Sequence, residues 1–140
     1  MAESTLEELD EATCLELLSR TPVGRIGFVH KGALQILPVN HAVDDGSVVF
    51  RTTSGAKLNT ALRESGQEVV YEADGWDAST RTGWSVLIRG SIAVVSDEVE
   101  RTRLDQLQMR AWADDRSRRA WIRVEATEIS GRRIVVPADG

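Results

Sequence analysis

Residues 25–53 read "RIGFVHKGALQILPVNHAVDDGSVVFRTT". Three runs rich in aliphatic and β-branched residues, RIGFVH, LQILPVN and SVVFRTT, are parted by Lys31-Gly32 and by Asp44-Asp45-Gly46. Turns that short, between runs of that composition, predict a meander of antiparallel strands. Pro38 has no N–H to give to a ladder, so it marks a bulge, an edge or a place where the strand serves something else.

Working outward, "LDEATCLELLSR" puts Leu9, Leu15 and Leu18 near one helical face, with acids early and Arg20 last, which suits the helix dipole. A helix is expected over about 6–20, ended by "TPVG". After the meander, Leu58 and Leu62 predict a short helix, "QEVVYEAD" a strand and "GWDASTRTG" a polar loop. "WSVLIRGSIAVVSD" is the longest strand pattern, with Gly90 placed to permit a bulge. "DEVERTRLDQLQMRAWAD" reads as a helix with Val99, Leu104, Leu107 and Trp112 as its apolar members. "AWIRVEATEISGRRIVV" reads as one or two strands with a turn near Gly131. The sum is a mainly β chain: a six-stranded antiparallel barrel with a few flanking α-helices. One domain is expected over 1–140, with the barrel over about 23–135.

The 140 residues carry a formal net charge of -5, which argues against a nucleic acid or an anionic membrane bound over a wide surface. The basic stretch "RSRRAWIR" follows "ADD" and reads as a solvated helix end. A single cysteine, Cys14, allows neither an internal disulfide nor a multi-cysteine metal site, and no metal is expected. No apolar run approaches the roughly 18 residues of a membrane span. The acidic start lacks a signal-peptide core, so a cytoplasmic compartment is expected.

The junction "RTTSGAK", Arg51 to Lys57, is where chemistry concentrates. Arg51 and Lys57 offer charge, Thr52, Thr53 and Ser54 offer hydroxyls, and Gly55 allows close backbone approach at a helix start. A phosphate wants that combination. There is no GxxxxGK[ST] and no GxGxxG, so it is not a standard nucleotide loop. The junction also reads as a plain Ser- or Thr-capped helix with surface cations.

In order along the chain come "GRIG" (Gly24 to Gly27), "PVN" (Pro38 to Asn40), "FRT" (Phe50 to Thr52), Gly55-x-Lys57 and "GWSVLIRG" (Gly83 to Gly90). That order of short motifs resembles the pyridoxamine 5'-phosphate oxidase-like FMN-binding split-barrel family. The likeness covers about residues 6–135 and is nearer to the small actinobacterial-type and nitroimidazole-reductase-like members. It implies a homodimer of split barrels with FMN in two clefts at the subunit interface, and flavin-dependent oxidoreductase activity. By that analogy Arg51 and Lys57 hold the phosphate with Thr52, Thr53 and Ser54. The segment Gln35 to Asn40, with Pro38 and Val39 in it, passes along the isoalloxazine and offers backbone groups to its polar edge. Ser85 stands where the oxidases place a glutamine near the flavin, with Trp84 near the flavin from the same chain or from the partner, and Arg132 or Arg133 reaches the cofactor. Ala56 replaces a second basic residue, and the C-terminal Arg-x-His element is absent, so pyridoxamine phosphate is not the expected substrate. Relatives that use F420 or bind haem keep those cofactors open, with His30 or His41 as haem ligands.

No catalytic side chain is assigned. His41 reads as a strand-end or turn residue, with proton donation to a flavin as the alternative. His30 reads as exposed or structural, Cys14 as inert and Trp76 as a loop anchor. Trp121 reads as core or dimer contact, and the carboxylates show no obvious reacting pair. A non-catalytic cofactor carrier or redox sensor is the second reading of the whole chain.

Overall fold

In the computed structural model, residues 4–51, 68–107 and 121–136 are described. The elements are β1 (Thr5–Leu9), α1 (Glu11–Ser19), β2 (Val23–His30), β3 (Ala33–Asp44), β4 (Ser47–Arg51), β5 (Glu68–Asp77), β6 (Thr82–Val94), α2 (Glu98–Asp105) and β7 (Trp121–Val135). All strand pairings are antiparallel. The order β7-β4-β3-β2-β5-β6 closes through β6–β7 into a ring of six, and β1 is added on the free side of β7.

The predicted meander is there. Each of its turns has two successive positive φ values, Lys31 (51°) with Gly32 (77°) and Asp45 (49°) with Gly46 (73°). That is the twist a two-residue hairpin needs. The shift at Arg89/Gly90 in the β6–β7 ladder is the expected irregularity. Residues 33–40 of β3 have a described strand neighbour on one side only, so Pro38 sits on an edge.

The barrel interior is filled by inward members of each strand, with Phe28, Val39, Phe50, Tyr71, Ile88 and Val124 among them. Helix α1 plugs one end with Cys14 and Leu18, one turn apart. A second cluster of Val49, Val95, Leu104 and Trp121 lies outside the ring beneath α2. Arg123 joins the two, donating to Asp44 Oδ2 at 2.8 Å and Glu100 Oε1 at 2.6 Å. Asp97 caps α2, its carboxylate accepting from the Glu100 N–H at 2.9 Å. Replacing Asp97 with alanine should cost about 1 kcal/mol in urea denaturation; no change would mean that α2 is held by its packing alone.

Four expectations need correction. The N-terminal helix does not begin near residue 6: Thr5–Leu9 is a strand, drawn onto β7 where Glu7 faces Arg133 and Glu8 faces Arg132. There is no turn at Gly131, because β7 is one strand. A Cβ there would lie 2.5 Å from the Cys14 sulfur, so the glycine admits α1. The "GWDASTRTG" segment is mostly ladder, with only residues 78–81 between β5 and β6. Val99 is exposed and does not join the apolar side of α2. Residues 58–62 and Trp112 lie outside the described residues. No described helix is long and apolar enough to cross a membrane.

Candidate functional site

Side chains alternate across a strand, so the inward core fixes what points out. Pro38, Arg25, Glu72 and Leu87 form one outward row across β3, β2, β5 and β6. Asp74, Ser85, Arg132 and Glu8 form the next row across β5, β6, β7 and β1. Apolar groups flank these polar rows. Leu34 is 87% exposed and Ile36 68%, with Val29 and Val70 beside them. At the other end Leu6, Trp76 and Ile134 border a shallow groove of about 300 Å³ that also contains Ser85 and Arg132. Single exposed apolar residues are ordinary, whereas a contiguous set around fixed polar groups marks a binding face.

The polar centre has its own electrostatics. Arg25 lies 3.5 Å from Glu72 and 3.8 Å from Asp74. Burial pushes the Glu72 carboxyl up to about 7, helped by its hydrogen bond to Asp74 and that group's charge, with Arg25 opposing. Glu72 can therefore hold a proton near neutrality. The sequence reading passed over this pair. The signal was "EAD", two acids at i and i+2, which share one face of a strand.

Arg51 ends β4 beside the Asn40 end of β3. Its guanidinium is paired with Asp105 and lies over the Trp121 ring, 4.4 Å from the centroid. The side chain is still 38% exposed, so an incoming anion could share it. Thr52, Thr53, Ser54 and Lys57 lie outside the described residues, and only the Arg51 end of the proposed phosphate grip is visible. Asn40 points outward with Pro38, and its amide donates to the Pro22 carbonyl at 3.2 Å.

Val39 is a core residue and Gln35 shares its inward register, so what this segment presents at the β3 edge is backbone, the groups expected of it. Trp84 and Ser85 are neighbours on a strand and so project to opposite faces. Ser85 is on the outer face, while Trp84 packs against the core on the α1 side. The two arginines divide in the same way: Arg132 is outward, and Arg133 pairs with Glu7 at 2.7 Å. Trp76 anchors no loop; it is 64% exposed.

His41 is neither a strand end nor a turn. It is buried in β3, hydrogen-bonded through Nδ1 to the Tyr71 hydroxyl and through Nε2 to the Leu18 carbonyl at 2.9 Å. A carbonyl can only accept, so Nε2 carries the proton and neutral Nδ1 accepts from Tyr71. Burial lowers the His41 pKa and raises that of Tyr71. With both ring nitrogens engaged, His41 ties α1 to the barrel and is not available to a haem.

A family model described as pyridoxamine 5'-phosphate oxidase matches residues 10–133. An uncharacterized protein of Mycobacterium tuberculosis is 37% identical over 131 residues, 91% of this chain and 85% of that one. The FAD binding protein of Mycobacterium smegmatis superposes with a TM-score of 0.75 at 32% identity, over 90% of this chain and 96% of that one. A conserved protein of unknown function from Corynebacterium diphtheriae gives 0.73 at 32%, over 93% and 98%. The ring of strands and the length of the family match lead to one conclusion: this chain belongs to the pyridoxamine 5'-phosphate oxidase family.

Proposed function

We propose that the chain is a flavin-dependent oxidoreductase acting as a homodimer, with each flavin between the outer sheet faces of two protomers. The supporting observation is how the outward groups are divided. Pro38, Asn40 and Arg51 gather at one end of the face, and Ser85 and Arg132 at the other. Arg51 pairs with Trp121 and Ser85 with Arg132, eleven residues apart on β7. That is about 35 Å measured along the strand, a spread that favours a flavin shared between two protomers. A two-fold axis would set the Arg51 end of one copy against the Arg132 end of the other, and would cover Leu34, Ile36 and Trp76.

The residues present fit a flavin. The outer face gives apolar margins at Leu34, Ile36, Leu6 and Trp76, Arg51 a partly exposed cation, and Ser85 and Asn40 neutral hydrogen-bonding groups. FMN is the cofactor that the family likeness suggests; the Mycobacterium smegmatis neighbour adds FAD. The bound flavin would supply the two-electron chemistry. The protein would hold the phosphate through Arg51 and Lys57, orient the ring along Pro38–Asn40 and keep a proton on Glu72. Pyridoxamine phosphate is not the proposed substrate.

Flavin fluorescence titration with FMN and FAD tests this. Arg51→Ala with Lys57→Ala should weaken binding roughly a hundredfold, since two charge-assisted contacts are lost. Arg132→Ala should also weaken it. Mixing equal amounts of the two defective chains should restore about a quarter of the sites, because only mixed dimers hold an intact half-pair. Undiminished binding by the Arg51/Lys57 variant, or a monomer in sedimentation, would overturn the reading. Tight binding with no reduction by NADH or NADPH would make it a carrier.

A further inference from the structure

Arg51, one cation of the proposed phosphate grip, already has an anion beside it. Asp105 closes the last turn of α2, and its carboxylate is paired with the Arg51 guanidinium. This carboxylate is held in place. Its chain neighbour Leu104 is fully buried in the cluster beneath α2, and the Trp121 indole N–H donates to Asp105 Oδ1 at 2.8 Å. The same ring lies 4.4 Å from the Arg51 guanidinium carbon. One aromatic side chain therefore fixes both partners: its face carries the cation and its N–H edge holds the carboxylate.

The helix itself gains nothing from an acid there. Glu98 and Glu100 in the first turn and Arg103 in the last follow the dipole, whereas Asp105 stands at the negative end. What Asp105 gains is Arg51 and Trp121. Burial and the like charge of Arg101, one turn earlier on α2, weigh against the charged form of Arg51, and the carboxylate opposes both. A phosphate arriving at Arg51 meets that carboxylate on the same guanidinium, and the repulsion grows with each unit of ligand charge. We propose, on the flavin reading above, that Asp105 is the specificity-determining residue of the Arg51 site. It handicaps a dianionic phosphate monoester, as in FMN, more than the singly charged phosphates of the FAD diphosphate. The favoured class of ligand is a flavin whose phosphates each carry one charge.

Riboflavin, FMN and FAD titrated into the full chain and into Asp105→Asn, followed by flavin fluorescence, test this. Asparagine keeps the oxygen that accepts from Trp121 and removes only the charge. Between groups that share one guanidinium, a unit charge pair in water is worth roughly threefold in affinity. The variant should therefore bind FMN about tenfold and FAD about threefold more tightly, with riboflavin unchanged, and half-molar salt should shrink both gains. Asp105→Ser, which also removes the charge, should give the same order. A carboxylate needed only for structure would do the opposite, weakening all three ligands and lowering the melting temperature. That result, equal FMN affinity in parent and variants, or a gain shared by riboflavin would overturn the role of Asp105 and leave the flavin reading standing. Failure of parent and variants to bind any of the three would overturn both.

Discussion

Exchanging His41 for leucine should lower stability by about 3 kcal/mol, because the Tyr71 hydroxyl and the Leu18 carbonyl would both lose their partner inside the barrel. Tyr71→Phe in the same chain should recover part of the loss, since a missing hydroxyl needs no partner. Acid should act through the same group. The folded-state pKa of His41 lies below its ordinary value of 6.5. The unfolded chain therefore takes up a proton first, and stability that is whole above about pH 6.5 is lost as the pH falls toward the folded value. Glu72 works in the opposite direction, because its raised pKa favours the folded state as the pH falls from about 7. Urea midpoints from pH 7.5 to 5 should thus drop more steeply in the parent than in His41→Leu. Parallel curves would remove His41 from the account.

Alanine at Gly90 should be nearly as damaging. Its Cβ would stand 2.0 Å from the Glu125 carbonyl oxygen and 2.8 Å from the carbonyl carbon. Both are backbone atoms of the neighbouring strand, with no flexible end to swing aside. Relief requires the bulge to shift, at about 3 kcal/mol. A thermal melt should show a fall of roughly 10 °C. A fall of a degree or two would mean that the β6–β7 ladder re-registers at little cost.

Much of the ring was legible because local chemistry dictates it. Lys31-Gly32 and Asp45-Gly46 announce reversals, and Gly90 announces an irregularity inside a long alternating run. What failed was non-local. Residues 5–9 carry leucines and acids that suit a helix, and only Arg132 and Arg133, more than a hundred residues later, draw them into a strand. His41 looked like a strand end because the run LQILPVN stops at Asn40; β4 pairing carries β3 on to Asp44. Ser85 and Asn40 project from the outer face by strand alternation, and Trp84, the chain neighbour of Ser85, projects from the other. The Arg25, Glu72 and Asp74 centre was open to reading from alternation alone.

Because β7 borders β1, β4 and β6, ring closure must wait until β7 has been synthesised. Until then a nascent molecule would hold β4 and β6 as open, unsatisfied margins, ready to recruit strands from neighbouring chains. Pairings between such distant parts of the chain also form slowly. A product cut short before Trp121 would therefore be an aggregation seed, with no smaller version of the barrel available to it.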